Sequence, residues 1–179
     1  VNPNDAAIFF KDPRIGPSFP DDFGTLYLLR RDIKSCMDAK ILWPGAMCIM
    51  AGIDLLGKCL DGNDSSNETG KRFRSFVVKY FHLPPSEADA LYQLRNALLH
   101  SFGLVSNVKS AHCRFQLHAT GFPILIAPLA SNYFKVDLIC LHDQFEKAVG
   151  DYHRDLLGDA KLQNKFAAMF IVYGKTPIA

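Results

Sequence analysis

The sequence contains no Cys-x-x-Cys pair. Its five cysteines, Cys36, Cys48, Cys59, Cys113 and Cys140, are odd in number, widely spaced and set among apolar residues. This pattern excludes a disulfide framework and predicts reduced thiols in a cytoplasmic setting. Charge of one sign is also scarce: 20 Lys and Arg against 18 Asp and Glu leave a formal charge of +2. That is too little to coat the protein in nucleic acid, so any RNA or DNA site must be local. No apolar run approaches the roughly 20 residues a bilayer span needs. The longest of interest, 41–53, is followed by Asp54 and Lys58, and no membrane partner is expected. The opening Val-Asn-Pro-Asn has no basic-then-apolar leader pattern and, without Met, reads as a trimmed end. There is no Gly-x-Gly-x-x-Gly run, no Gly-x-Ser-x-Gly elbow and no internal repeat.

What is present suits a chain with one hydrophobic core. At 179 residues, 49% hydrophobic and 21% charged, folding removes roughly 70% of the unfolded chain's surface without help from disulfides or a structural metal. Four prolines in residues 1–20 (Pro3, Pro13, Pro17, Pro20) predict an extended arm, leaving 21–179 as a single domain. Leu26, Leu29, Ile33 and Met37 recur at helical spacing after Asp21 and Asp22 and end near Lys40. Pro44 opens a second helix whose Met47, Ile49, Met50, Ile53, Leu56 and Leu60 are apolar almost all round, as a central core helix requires. The polar run 61–70 predicts a disordered loop, in which the sequon-like triplets at Asn63 and Asn67 are incidental. A third helix follows over 71–82. Pro84 and Pro85 stop it, and Ser86 with Asp89 forms a capping-box-like start for a fourth helix through Ser101, closed by Gly103.

After Gly103 the period falls to two. Cys113, Phe115, Leu117 and Ala119 alternate with His112, Arg114, Gln116 and His118, predicting a half-buried strand. Further strands are predicted at 124–127 and 133–138, the latter with Phe134 and Val136 inward, and the simplest arrangement is an antiparallel meander. Two helices end the chain, with stripes at Leu138, Leu141, Phe145, Val149, Tyr152 and Leu156 and, after Gly158, at Leu162, Phe166, Met169, Phe170 and Tyr173. The fold class expected is therefore mainly α: a helical bundle with a small antiparallel β-meander, at about 104–138, inserted between the fourth helix and the C-terminal helices.

Gly52 to Cys59 (GIDLLGKC) approaches a phosphate-binding loop but continues a buried helical stripe, and Cys59 offers no hydroxyl to magnesium. The histidines do not make a metal set. His112 and His118 stand roughly 20 Å apart along one strand, and His153 lies too far along its helix from His142 and Glu146. Neither a metal nor a cofactor is expected. The sharper signal is Leu91-Tyr92-Gln93-Leu94-Arg95-Asn96-Ala97-Leu98-Leu99-His100. At about 100° per residue, Leu91, Leu94, Leu98 and Phe102 form a core stripe, while Tyr92, Arg95, Asn96, Leu99 and His100 share a second face. That face mixes groups able to handle phosphate or protons with apolar side chains. It suits a partner surface with a site beside it, or a helix end where His100 caps carbonyls, Arg95 is in a salt bridge and Asn96 bonds locally.

Arg95-Asn96-Ala97-Leu98-Leu99-His100 resembles the Arg-polar-x-x-x-His signature of the HEPN superfamily, the higher eukaryote and prokaryote nucleotide-binding domains, over about residues 22 to 103, with the helix after Leu138 as a candidate addition. The resemblance implies a HEPN-like helical bundle acting as a homodimer, its two signatures facing across the interface. It also implies a metal-independent endoribonuclease, in a toxin-antitoxin, defence or RNA-processing role, with an antitoxin or other protein as a possible partner. His100 would assist proton transfer at the ribose 2′-hydroxyl and leaving oxygen, Arg95 would stabilise phosphate charge, and Asn96 would orient groups. Other members are non-catalytic, so a dimerisation, nucleotide-binding or protein-interaction module is the alternative. Tyr92, Lys71, Arg72, Arg74 and Lys79 are candidate RNA-binding residues. His112, Arg114, His118 and Lys135 could add an RNA- or subunit-contacting face, unless they are simply solvated.

Overall fold

The apolar segment around Ile49 and Leu56 becomes the helix on which the others pack. In the computed structural model, which describes residues 3–15, 23–101, 103–108, 111–121 and 123–176, this helix is α3 (Leu42–Asp61). It starts two residues before Pro44, whose missing N–H falls in the first turn, where no helical acceptor is lost. It ends at Gly62, which takes the left-handed conformation (φ 78°) and donates to the Lys58 carbonyl. Around α3 pack α2 (Thr25–Asp38), α4 (Thr69–Phe76), α5 (Pro85–Ser101), α6 (Leu138–Gly158) and α7 (Ala160–Tyr173). By length and apolar composition α3 would pass for a membrane span, but here Ile49, Met50, Ile53, Leu56 and Cys59 are fully buried against its neighbours.

The glycines of the near-motif in α3 have a packing role. A Cβ on Gly52 would lie 2.6 Å from Cζ of Phe145, and one on Gly57 would lie 3.1 Å from the Arg72 carbonyl oxygen. Gly52 therefore admits the α6 ring and Gly57 admits the α4 backbone. In an exposed helix Gly→Ala gains roughly 0.5–1 kcal/mol. At Gly52 the collision with a fully buried ring should reverse that sign, since overpacking costs about 1–3 kcal/mol. The urea midpoint of Gly52→Ala should fall relative to the parent, with an unchanged denaturant slope.

The N-terminal segment departs from the expected extended arm. Residues Pro3–Phe9 form a short helix, α1: Pro3 occupies its first position, where a fixed φ is favourable, and Phe9 is fully buried. The remainder of the arm, 16–20, lies outside the described residues, as do Asp21 and Asp22. Gly24, in the two-residue strand β1 (Phe23–Gly24), lies where a Cβ would meet the Ile8 carbonyl. This strand pairs antiparallel with β6 (Lys175–Thr176), joining the two ends of the fold.

The segment 61–70 is also more structured than its polar composition predicts. Ser66–Glu68 form a 3-10 turn, α4 begins at Thr69, and Arg72 bonds Asn63 and Ser65 across the loop. The third predicted helix is split into α4 and a π-helical turn, Val77–Phe81, that ends at His82 in the left-handed conformation. In α5, Glu87 and Ala88 donate to the Pro84 carbonyl, so the helix starts at Pro85 and Ser86 is inside it rather than at its cap. Its other end closes as expected, with the Gly103 amide donating to the Ala97 carbonyl.

The sheet is mixed, which corrects the antiparallel meander. Its order is β2 (Val105–Val108), β3 (Ala111–His118), β5 (Tyr133–Asp137), β4 (Ile126–Ala130), and β3 and β5 run parallel. Pro128 supplies a physical reason. A meander would place β4 between two neighbours, and a residue without N–H is tolerated on an edge, which is where β4 lies. Cys113 and Phe115 face the core and Leu117 is half-buried, whereas Ala119 lies past the strand end and is exposed. The buried Asp137 carboxylate ends the sheet: it caps α6 by accepting from the Ile139 and Cys140 amides and also holds Thr120.

Candidate functional site

The predicted two-faced helix is α5. Leu91, Leu94 and Leu98 are fully buried and His100 is exposed; Phe102 lies outside the described residues. Between these extremes sits Arg95, whose side chain keeps 12% of its surface exposed. Its guanidinium gathers three neighbours. Nη1 donates to Asn96 Oδ1 at 3.1 Å and lies 2.5 Å from His100 Nε2. Nε and Nη2 both donate to one Asp54 oxygen, at 2.7 and 2.6 Å. A guanidinium can only donate, so His100 Nε2 is the accepting side of this contact. The three signature residues therefore converge, with the imidazole at the surface, Arg95 behind it and Asn96 buried.

Asp54 was absent from the candidates drawn from the sequence, although a signal for it existed. A carboxylate four residues before Lys58 inside an otherwise apolar helix must find a partner or become neutral. Burial raises its pKa above the ordinary carboxylate range, and Arg95 beside it pulls in the opposite direction. Arg95 and Asp54 also form part of the wall of a cavity of about 470 Å³ between α3, the 61–69 loop, α4, α5 and the end of α7.

The basic residues expected to bind RNA divide into two groups. Arg72 is 3% exposed and lines the same cavity as Arg95. Lys71, Arg74 and Lys79 instead border a separate hollow with Val78 and Pro85. There Lys71 pairs with Glu68 at 2.9 Å, Arg74 with Asp89 at 3.2 Å and Lys79 with Asp155 at 3.1 Å. Tyr92 joins this second group, with the Arg74 guanidinium 4.8 Å from its ring centre and Gly70 beneath the ring. On the sheet, His112 and Arg114 border a shallow hollow with Tyr133, while the His118 ring is half-buried and its Nε2 has no hydrogen-bond partner among the described residues. Among the described residues no three His, Cys, Asp or Glu side chains are grouped to hold a metal ion.

Comparison of the chain with protein-family models, curated proteins and solved structures yields no match. The functional reading therefore rests on the arrangement of these side chains.

Proposed function

We propose that the protein is a metal-independent endoribonuclease of the HEPN type, acting as a cytoplasmic homodimer, possessing Arg95, Asn96 and His100 as its reacting constellation. The observation that carries this reading is the convergence of three side chains, Arg95 Nη1 lying 3.1 Å from Asn96 Oδ1 and beside Nε2 of the exposed His100 imidazole. In the reaction the RNA 2′-oxygen attacks the adjacent phosphorus as His100 Nε2, released when Arg95 Nη1 turns to the phosphate, takes its proton, and the bond from phosphorus to O5′ breaks. O5′ leaves with a proton supplied by the second signature of the dimer, giving a 2′,3′-cyclic phosphate and a 5′-hydroxyl. Arg95 stabilises the charge on the non-bridging oxygens, and the buried Asn96 fixes the plane of its guanidinium. A cognate antitoxin or other protein would regulate such an activity by covering the exposed imidazole.

A second reading draws on a different observation. Asp54 already takes two of Arg95's donors, and a guanidinium neutralised in this way suits a non-catalytic module that uses the same helix face for dimerisation, nucleotide binding or a protein partner. The two readings diverge at His100. Incubation of the protein with single-stranded RNA in excess chelator should yield cyclic-phosphate ends. His100→Ala should lower the cleavage rate by at least about a hundredfold with unchanged thermal stability, because the side chain is exposed. Cleavage absent from both parent and variant would favour the non-catalytic module, and equal cleavage by both would exclude this site.

A further inference from the structure

The cavity behind Arg95 contains a cation that the proposed cleavage does not use. Arg72 is 97% buried, its relative exposure being 3%, yet it has no carboxylate within salt-bridge distance among the described residues. Its partners are neutral: Nη1 donates to Asn63 Oδ1 at 3.1 Å and the Ser65 carbonyl at 2.7 Å, and Nη2 donates to Thr69 Oγ1 at 3.3 Å. Arginine presents five N–H groups, and none of these three bonds uses Nε. Asp54 and Glu68 act on it through space without bonding it, so a buried guanidinium whose hydrogen-bond partners are all neutral is incompletely compensated, and an anion in the cavity would complete it.

The rest of the wall fits the same ligand. Lys58 reaches the cavity from α3, with Asp64 3.8 Å from its Nζ and the Tyr173 ring centre also 3.8 Å away. Tyr173 OH in turn donates to Asp64. Three cations (Lys58, Arg72, Arg95) therefore face two carboxylates (Asp54, Asp64). Arg95 is held at short range by Asp54 and Lys58 only loosely by Asp64, which leaves the excess positive charge at Arg72. Ser66 and Thr69, both hydroxyl-bearing, also line this wall. A fork of N–H donors, an ammonium and hydroxyls around a space of about 470 Å³ match a tetrahedral oxyanion and the group attached to it.

We infer that this cavity binds a phosphoryl group on Arg72 and Lys58, either of a free nucleotide or of the RNA chain beside the bond that Arg95 and His100 would cleave. The site goes beyond the nuclease reading, because binding here requires no cleavage.

Calorimetric titration of the full chain tests it with three probes: inorganic phosphate, a nucleoside 5′-monophosphate and a 2′-O-methyl RNA octamer, which cannot be cut. Saturable binding of at least one probe is expected, weakened tenfold or more by Arg72→Gln. Arg72 also ties the 61–69 loop, so Lys58→Gln, expected to weaken binding at least fivefold, provides the test if the first variant does not fold. Lys147→Gln on α6, whose side chain is 55% exposed and pairs with Asp151, should bind as the parent does. Binding of phosphate and the mononucleotide without the octamer identifies a free nucleotide as the ligand. Tight octamer binding with weak phosphate binding identifies the RNA chain. No saturable binding of any probe, or binding equally tight in Lys58→Gln and the parent, overturns the site. Binding without RNA cleavage would leave the site standing and remove the nuclease; cleavage without binding would do the reverse.

Discussion

Arg95→Ala should destabilise the protein by about 3 kcal/mol at neutral pH, the lower end of the range for stranding one member of a buried ion pair. The same change should reduce RNA cleavage by about a hundredfold to a thousandfold, the range for losing a positioned donor to transition-state charge. Both effects follow from the same guanidinium. With Asp54 and Arg95 keeping only 17% and 12% of their side-chain surface exposed, removal of the cation leaves a carboxylate that water screens poorly. The stability loss should depend on pH in a defined direction. Burial already raises the folded-state pKa of Asp54, and without Arg95 it rises further. A carboxyl with a raised folded-state pKa is tolerated below its unfolded value, about 3.9, and costs stability as pH climbs through the folded value. The gap between parent and variant in urea unfolding should therefore be smaller at pH 4.5 than at pH 7.5. Asp54→Asn placed on the Arg95→Ala background should remove most of that pH dependence. Loss of stability with unchanged cleavage would assign the pair a structural role alone and exclude Arg95 from the cleavage reaction.

The helices and their stripes were legible because a 3.6-residue period survives wherever one face is buried. Leu26 and Ile33, Leu91 to Leu98, and Phe145 to Leu156 all fall where that period places them. Pairings between distant segments were less accessible. The parallel contact of β3 with β5 depends on where the chain goes between them, and the clue, Pro128 as an edge marker, constrains the order without specifying the partner. Within the site, Arg95, Asn96 and His100 could be found together because five positions along one helix keep them close. Asp54 stands 41 residues from Arg95, so its charge in an apolar helix signalled the need for a partner but not which one. Arg72 shows the same limit in reverse: in a stretch with Lys71 and Arg74 it reads as surface charge, but at Phe73 and Phe76 the same helix turns to the core and takes Arg72 with it.

Phe9→Ala is expected to cost about 3–5 kcal/mol, as for a buried aromatic truncated without collapse of the site, although it lies in a segment whose prolines suggest a dispensable arm. Phe9 is fully buried, with ring centres of Phe10, Phe166 and Phe170 at 5.0, 5.2 and 6.0 Å. Collapse of the resulting cavity is opposed by backbone anchors on either side of Phe9. Beyond its C-terminus, Arg30 donates to the Phe10 and Lys11 carbonyls while holding Glu146 of α6 at 2.5 Å. At Ile8 the backbone rests against Gly24, in the strand that pairs with β6. The backbone is therefore pinned while the ring is removed, and the lost contacts are not replaced. Unfolding in urea should show the midpoint falling with little change in slope. Phe9→Leu should recover more than half of the loss, since it refills most of the volume. A Phe9→Ala variant within 1 kcal/mol of the parent, an amount well below the usual cost of such a cavity, would mean that α1 detaches without loss and that the aromatic cluster closes over Phe166 and Phe170 alone.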